Sequence, residues 1–374
     1  MIGSDTPLST KDVVFRELLE PERSDGYVSG RQLGERYHLS RTAVWKAVQA
    51  LIRKGVVIES CKNRGYRLKG MEDRLDAEVI KSMLPVRSGV NVSVYTVIDS
   101  TNSEAKRRCA SAGLLRDAAG TLTPSGRDLH RSAVIAAEQT AGRGRLGRTF
   151  YSPSLSGIYL SLIYIPEHGI SRPACLTAAA AVGVCRALHR LYDVEPEIKW
   201  VNDVFVHGKK VCGILTEGVS NFETGIIEAA IVGIGINITD GAAGFPDVLA
   251  KTAGSVLGNT AHYIRDGIAV TRNMLAAAVI DEILKMYDTD DTAFFSEYRS
   301  RSMLIGKNVC VHPLASGLLE PGSQDGTFRA HVVDIDDEAR LIVRDEQGKE
   351  LALQSGEVTL SSATVADDLR KSAR

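Results

Sequence analysis

The sequence predicts an α+β protein in three segments: a winged helix-turn-helix over residues 1–70, a mixed α/β region over 75–300, and a small β-barrel over 304–362. Three observations carry that prediction. Two short helical patterns and a basic hairpin pattern follow one another near the N-terminus. Strand and helix patterns then mix through the middle, as in an α+β domain with a central sheet. Short alternating strands parted by Gly and Asp turns close the chain.

In the first segment, KDVVFRELLE holds Val13, Val14, Leu18 and Leu19 at helical spacing. Ser29 is placed to cap a short helix over 32–37, and His38-Leu39 makes a tight turn. Ser40 caps a second helix over 41–54, which Gly55 ends. Val44, Val48, Leu51 and Ile52 form its apolar stripe. From Gln32 to Leu51 the pattern fits a helix-turn-helix. VVIESCKNRGYRL follows as two strands turning at Asn63-Arg64-Gly65, the wing of a winged helix. Between Arg23 and Lys69 stand eleven Lys and Arg against three acids, about +8, while the whole chain carries −1. Such a local excess is the footprint of a nucleic-acid module. The plainer alternative is a small helical domain with a solvated basic face. On the DNA-binding reading, Arg41, Thr42 and Lys46 face the major groove, where Arg and Lys pair with guanine edges. Arg64 and Arg67 on the wing touch phosphates. Trp45 is ambiguous from sequence: packing is the more frequent role for such a residue, and a base contact is the alternative.

In the middle segment, VNVSVYTVID, SAVIAAEQ, GIYLSLIYI, VCGILTEGV and EAAIVGIGINI read as strands. ACLTAAAAVGVCRALHRLY and LAAAVIDEILKMYDTD read as helices. Residues 111–130 read as a loop or short helix with a polar turn. In the last segment KNVCVH, GTFRAHVVDID, ARLIVRD and KELALQSGEVTL are short strands, and the polar residues from Ala363 are expected to fray. No apolar run is read as a membrane span, and the polar start lacks a signal-peptide core, so the expectation is a cytoplasmic protein without a membrane partner. The six cysteines show no CxxC pair, which argues against disulfide frameworks and thiolate zinc sites and for buried apolar thiols.

Chemistry concentrates in three stretches. AAEQTAGRGRLGRTFYSP interleaves Gly142, Gly144 and Gly147 with Arg143, Arg145 and Arg148. Glycine permits close backbone approach, and arginine supplies planar bidentate donors for phosphate or carboxylate. A phosphorylated, compact ligand fits it, and the loop is expected to order when that ligand binds; a basic surface loop or an RNA-binding tract is the alternative. The stretch is neither a Walker A loop nor a dinucleotide fingerprint, and the GIGIN of Gly233 to Asn237 in a strand context is weak evidence for a dinucleotide. EIKWVNDVFVHGKKVCGILTEG places Lys199, Asn202 and Asp203 after a short strand and Lys210 at the entrance of an apolar one. A lysine there is costly unless it meets an anion, and Asp203 suits magnesium, which prefers oxygen ligands. A Lys199–Asp203 salt bridge and a snorkelling Lys210 are the plain alternatives. Finally, Asp99-Ser100-Thr101-Asn102 precedes a helix, either as its cap or as small polar groups for an uncharged ligand such as a urea.

DSTN, EQTAGRGRLGR, KWVND, KKVCGIL and GIGIN occur in an order that resembles biotin protein ligases. With the upstream winged helix and the downstream strands, the chain looks like the bifunctional class that also represses the biotin operon. The resemblance covers nearly the whole chain. Val201 stands where a proline is expected, Phe150 where tryptophan is frequent, and 111–130 is longer than the usual connection. The resemblance implies a class II synthetase-like core between a winged helix and an SH3-like barrel. It implies that Ser100, Thr101, Asn102 and Gln139 meet the ureido ring of biotin, and that Arg143, Gly144 and Arg145 close over biotin and its adenylate. Lys210 would bind the biotin carboxylate and the α-phosphate, with Arg145 beside it in catalysis. Arg148, Lys199, Asn202, Asp203 and Asn237 would serve ATP, Asp203 through Mg2+. Partners implied are a biotin carboxyl carrier protein or domain, operator DNA, and a second copy of the chain when biotinyl-5′-AMP is bound as corepressor. The rival readings are a lipoate or octanoate ligase and a repressor without ligase activity.

Overall fold

The computed structural model describes residues 9–20, 26–85, 88–117, 119–166, 169–221, 225–260, 262–288, 293–312 and 327–360. The expected frayed end from Ala363 lies outside them.

The N-terminal unit comprises α1 (Thr10–Leu19), α2 (Gly30–Tyr37), α3 (Arg41–Arg53) and the hairpin β1 (Val56–Cys61)–β2 (Gly65–Met71). Ser29 accepts from Arg31 N and Ser40 from Ala43 N, so both caps act as the sequence requires; His38 takes the left-handed conformation between the helices. Val14, Phe15, Leu18, Leu33, Val44, Val48 and Leu51 are buried together. One expectation fails here: Ile52 is 42% exposed, because Ala47 takes the inner position of the stripe. Trp45, ambiguous from sequence, is 54% exposed.

After the hairpin come α4 (Ala77–Met83), β3 (Asn91–Tyr95), α5 (Thr101–Ser111), α6 (Pro124–Leu129), β4 (Ser132–Ala136), β5 (Gly157–Tyr164) and α7 (Pro173–Tyr192). Then follow β6 (Glu197–Lys199), β7 (Asp203–Val206), β8 (Lys209–Ser220), β9 (Ile227–Asn237), α8 (Asp247–Ala250), the small hairpin β10 (Ile264–Arg265)–β11 (Ile268–Ala269), α9 (Arg272–Tyr287) and α10 (Phe294–Ser300). The central sheet has seven strands in the order β3-β4-β5-β9-β8-β7-β6. β3 and β4 run parallel and the other neighbours antiparallel. Because successive side chains alternate between faces, Ile135, Leu160, Leu162, Val232 and Ile234 meet α7 and α9, while Val134, Ile163, Ala229 and Ile231 meet α5. The 111–130 segment finishes that second face: Leu115 is buried there, with Leu122 and Leu129 packed beside it.

Helix α7 is long and apolar enough to cross a membrane, contrary to the sequence reading, but Ala178 to Leu188 are mostly buried against the sheet and α9, which makes it a core helix. Of the cysteines, Cys109, Cys185 and Cys212 are buried, while Cys61, Cys175 and Cys310 are only half-buried; all six are free.

The tail forms β12 (Asn308–His312), β13 (Phe328–Ile335), β14 (Leu341–Asp345), β15 (Glu350–Leu353) and β16 (Glu357–Leu360), an antiparallel sheet in the order β15-β14-β13-β12-β16. The expected barrel is not closed: among the described residues β15 and β16 lie at opposite edges and do not pair. Its core is continuous with the central one, and the buried Trp200 indole donates to Ala339 O at 2.8 Å across the junction.

The winged helix is seated on the central region. Arg16 donates to Ser82 O at 3.0 Å, Lys54 pairs with Asp76 at 3.0 Å, and Lys11 with Glu78 at 2.7 Å. Residues 73–76 are clamped onto the start of α9. Arg272, only 4% exposed, donates from Nε to Asp73 Oδ2 at 2.9 Å. Asn273 accepts from Asp76 N at 2.9 Å and donates to Arg74 O at 2.8 Å.

Trp200→Phe keeps the ring but leaves the buried Ala339 carbonyl without its donor. The expected loss is about 1–3 kcal/mol of stability, read as a lower urea midpoint; an unchanged midpoint would show that the junction does not depend on this bond.

Candidate active site and DNA-binding face

All thirteen residues assigned to ligand chemistry line one cleft of about 390 Å³, where the N-terminus of α5 meets the ends of the central strands. That volume falls in the range of small-molecule sites. The cleft has a polar, mostly uncharged corner and a cationic side.

The corner is built on α5. Ser100 is its N-cap, accepting from Ser103 N, so the capping role and a place in the cleft coincide. Ser100, Thr101 and Asn102 are all buried. Gln139, which follows β4, accepts from Thr101 N at 2.8 Å through Oε1 and donates to Ser152 Oγ at 2.9 Å through Nε2. Two residues were not singled out from the sequence. Ser161 of β5, fully buried, lies 2.5 Å from Asn102 Oδ1 and 2.7 Å from Thr101 Oγ1. Glu217 of β8 accepts from Asn102 Nδ2 at 2.8 Å and from Lys106 at 2.7 Å, and lies 3.1 Å from Arg143. Burial pushes the Glu217 carboxyl up, but Lys106 and Asn102, with Arg143, outweigh it and hold the group below the ordinary value.

The arginine-glycine stretch is a hairpin. Gly144 N donates to Arg148 O at 2.7 Å, Phe150 N to Gly142 O at 2.9 Å, and Arg145 to Gly147 form a short 3-10 turn. Each arginine has an anchor: Arg143 on Glu217, Arg145 on Asn202 Oδ1 at 2.9 Å, and Arg148 on Glu357 of β16 at 2.6 Å. The last contact brings the C-terminal sheet to the cleft, which the sequence did not foretell.

On the cationic side, Lys210 pairs with Asp203 at 2.7 Å across the β7–β8 hairpin. The Lys199–Asp203 bridge considered from sequence is therefore not the pair formed. Lys199 has no ion-pair partner among the described residues. Burial lowers its pKa and Lys210 adds to this, with Asp203 and Glu357 opposing. Asn202 donates to Ile214 O at 3.0 Å and Asn237 to Gly254 O at 3.0 Å, which fixes both amides at the wall.

The GIGIN glycines now have a physical reason. A Cβ on Gly233 would stand 2.1 Å from Asn102 Oδ1, and one on Gly235 2.4 Å from the Phe150 ring. Strand β9 carries hydrogen at both positions so that these side chains can lie on it.

On the winged helix, Arg41, Thr42 and Lys46 are exposed along α3, with Trp45 between them. At the wing Arg64 is exposed with its guanidinium 4.0 Å over the Tyr27 ring. Arg67, expected on phosphate, is bound to Glu59 at 2.6 Å and stacked on Tyr27 at 4.6 Å in the protein alone. That hydrogen bond, with a second from Tyr27, holds the Glu59 carboxyl at about 2.

A family model described as the Biotin/lipoate A/B protein ligase family matches residues 127–237, and one described as an HTH domain matches residues 18–67. The bifunctional ligase/repressor BirA of Bacillus spizizenii is 30% identical, over 90% of this chain and 94% of that protein. The chain belongs to the bifunctional biotin ligase/repressor family. Its BirA relative in Escherichia coli K12 is 31% identical over 73% of this chain and 76% of that protein. As a member of the family it also shares the fold of the biotin protein ligase from Aquifex aeolicus solved with biotin and ATP. That match has a TM-score of 0.54 at 22% identity and covers 72% of this chain and 99% of that one.

In this ligase/repressor, Gly233→Ala would drive a methyl into Asn102 and separate it from Ser161 and Glu217. Stability is expected to fall by about 1–3 kcal/mol, measured as a lower urea midpoint; a native midpoint would contradict the close packing.

Proposed function

We propose that the protein joins biotin to a lysine of a biotin carboxyl carrier domain in two steps and, loaded with biotinyl-5′-AMP, represses transcription from operator DNA. In the first step a biotin carboxylate oxygen attacks the α-phosphorus of ATP and pyrophosphate leaves. In the second, the carrier lysine's amine attacks the carbonyl of the mixed anhydride, forming an amide, releasing AMP and losing a proton. No side chain here need become covalently attached; positioning and charge stabilisation carry the rate.

The observation that carries this reading is the match between the uncharged corner and a urea. Asn102 Oδ1 can only accept. Thr101 Oγ1 donates its proton to Gln139 Oε1 at 3.2 Å, which leaves it to act as an acceptor. The Ser100 oxygen accepts from Ser103 N, which leaves its hydroxyl proton to donate. Two acceptors and a donor complement two N–H groups and a carbonyl. A plain octanoyl or lipoyl chain has nothing to offer them, and buried polar groups left unpaired are costly. The cationic side argues against a repressor without ligase activity, since the half-buried Lys199, which has no ion-pair partner among the described residues, would gain one from an anion such as a triphosphate.

Lys210 holds the carboxylate and α-phosphate together, exchanging part of its Asp203 contact for them. Arg143, Gly144 and Arg145 cover the adenylate and keep water from the anhydride. Arg148, Lys199, Asn202 and Asn237 bind the nucleotide. Asp203 fits Mg2+ because it presents a carboxylate at the cleft wall, and Mg2+ is commonly held by one or two carboxylates with substrate phosphates and water. When bound, Mg2+ would neutralise charge on the leaving pyrophosphate.

Arg41, Thr42 and Lys46 read bases in the major groove, with Trp45 exposed beside them, and Arg64 adds a backbone contact. We read the chain as cytoplasmic and dimeric on DNA when adenylate-bound, with segments 1–70, 75–300 and 304–362 as its DNA-binding, catalytic and C-terminal units, the last an SH3-like sheet beside a class II synthetase-like core.

Lys210→Ala is expected to lower biotinyl-AMP formation about 10²–10³-fold, and Arg145→Gly to speed adenylate release, both followed with labelled ATP in a quench assay offering biotin, lipoate and octanoate; wild-type rates would refute the assignments, and lipoate use would favour the rival acid. Arg41→Ala should cost about 1–3 kcal/mol in operator affinity at fixed salt, and wild-type affinity should rise with biotinyl-AMP; equal affinity with and without it would end the repressor coupling.

A further inference from the structure

We infer that Glu217 is a positioning residue for the acid substrate: it fixes which end of the Asn102 amide faces the cleft and so makes that corner select an N–H donor. The inference rests on the biotin reading above and names the residue that sets its hydrogen-bond polarity.

An asparagine side chain is nearly symmetric in shape but opposite in polarity at its two ends. A carboxylate is acceptor-only, so the Asn102 atom at 2.8 Å from Glu217 Oε2 is the amide nitrogen. The carbonyl of Leu215, 3.2 Å away, takes the other proton of the same nitrogen. Both donors of Asn102 are thereby consumed inside the protein. Its oxygen takes the Ser161 proton at 2.5 Å and keeps one lone pair for the cleft. Glu217 is itself held ionised, and therefore unable to donate, by Lys106 at 2.7 Å and Arg143 at 3.1 Å. Its other role follows from Arg143: the carboxylate that orients Asn102 also anchors the first arginine of the loop, so head-group recognition and loop placement share one residue.

Glu217→Gln keeps the shape and reverses the logic. The introduced amide turns its carbonyl to Lys106 and Arg143 and its NH2 toward Asn102, where a donor meets a donor. Asn102 then loses its cleft-facing acceptor. Lys106→Met is the control: Arg143, 3.1 Å from the same carboxylate, still holds Glu217 ionised when Lys106 is removed, so the acceptor stays in place.

The test is steady-state adenylation by the full-length protein, with thermal melting to establish folding. For Glu217→Gln the biotin KM is expected to rise about tenfold or more, with the ATP KM within about twofold. For Lys106→Met both constants should stay within about twofold. Wild-type protein should reject by about tenfold or more a biotin analogue with oxygen in place of a ureido N–H, and Glu217→Gln should lose that selectivity. An unchanged biotin KM in Glu217→Gln, equal rises in the biotin and ATP constants, or a Lys106→Met variant that mimics it would overturn the proposal. If Glu217→Gln does not fold, wild-type acceptance of the oxygen analogue would overturn it alone. Failure of wild-type protein to adenylate biotin at all would instead sink the ligase reading.

Discussion

The cleft depends on one steric constraint, the bareness of β9 at Gly233 and Gly235. A central strand normally gains from large side chains, and glycine weakens it. Here Ile231, Val232, Ile234 and Ile236 supply the packing, and the two glycines leave room for Asn102 and Phe150 to lie against the backbone. The polar corner and the aromatic wall both follow from that. Larger residues at either position would fill the space with strand side chains and push α5 or the arginine hairpin outward.

Charge is organised by the same economy. Four cations reach the cleft with anchors: Arg143 on Glu217, Arg145 on Asn202, Arg148 on Glu357 and Lys210 on Asp203. Each anchor limits rotamer loss when an anion arrives, because the side chain is already placed. Lys199 is the exception among the described residues, half-buried and without an ion-pair partner, and so stands to gain from an anion. The anchors belong to β8, the turn before β7, β7 and β16, so the C-terminal sheet takes part in the electrostatics of a site otherwise built on the central one.

Much of this was legible in the chain, and the reasons differ by level. The winged helix was readable because caps at Ser29 and Ser40, a periodic stripe and a turn glycine are local signals. The cleft residues were readable because interleaved arginine and glycine, or a lysine entering an apolar strand, make little sense as core. What escaped was non-local. Ser161 and Glu217 sit in strands whose pattern is satisfied by burial alone, and only register places them under Asn102. Glu357 arrives from another sheet. Ile52 was misjudged because helical spacing gives a stripe without saying how wide the neighbours make it, and the Arg67–Glu59 pair escaped because it forms across the hairpin. Barrel closure was not deducible from strand count, since it depends on how the edges β15 and β16 meet.

The clamp of Arg272 and Asn273 on residues 73–76 has a mechanical consequence. A reading head on a free tether would lose its orientational freedom each time it met DNA, a cost set against binding. Here much of that freedom is already lost on folding, because the tether is bonded to α9 and the helices above it rest on α4. In a symmetric pair of such chains the separation and tilt of the two recognition helices would be set by the enzyme cores, so operator spacing would report the geometry of a metabolic enzyme.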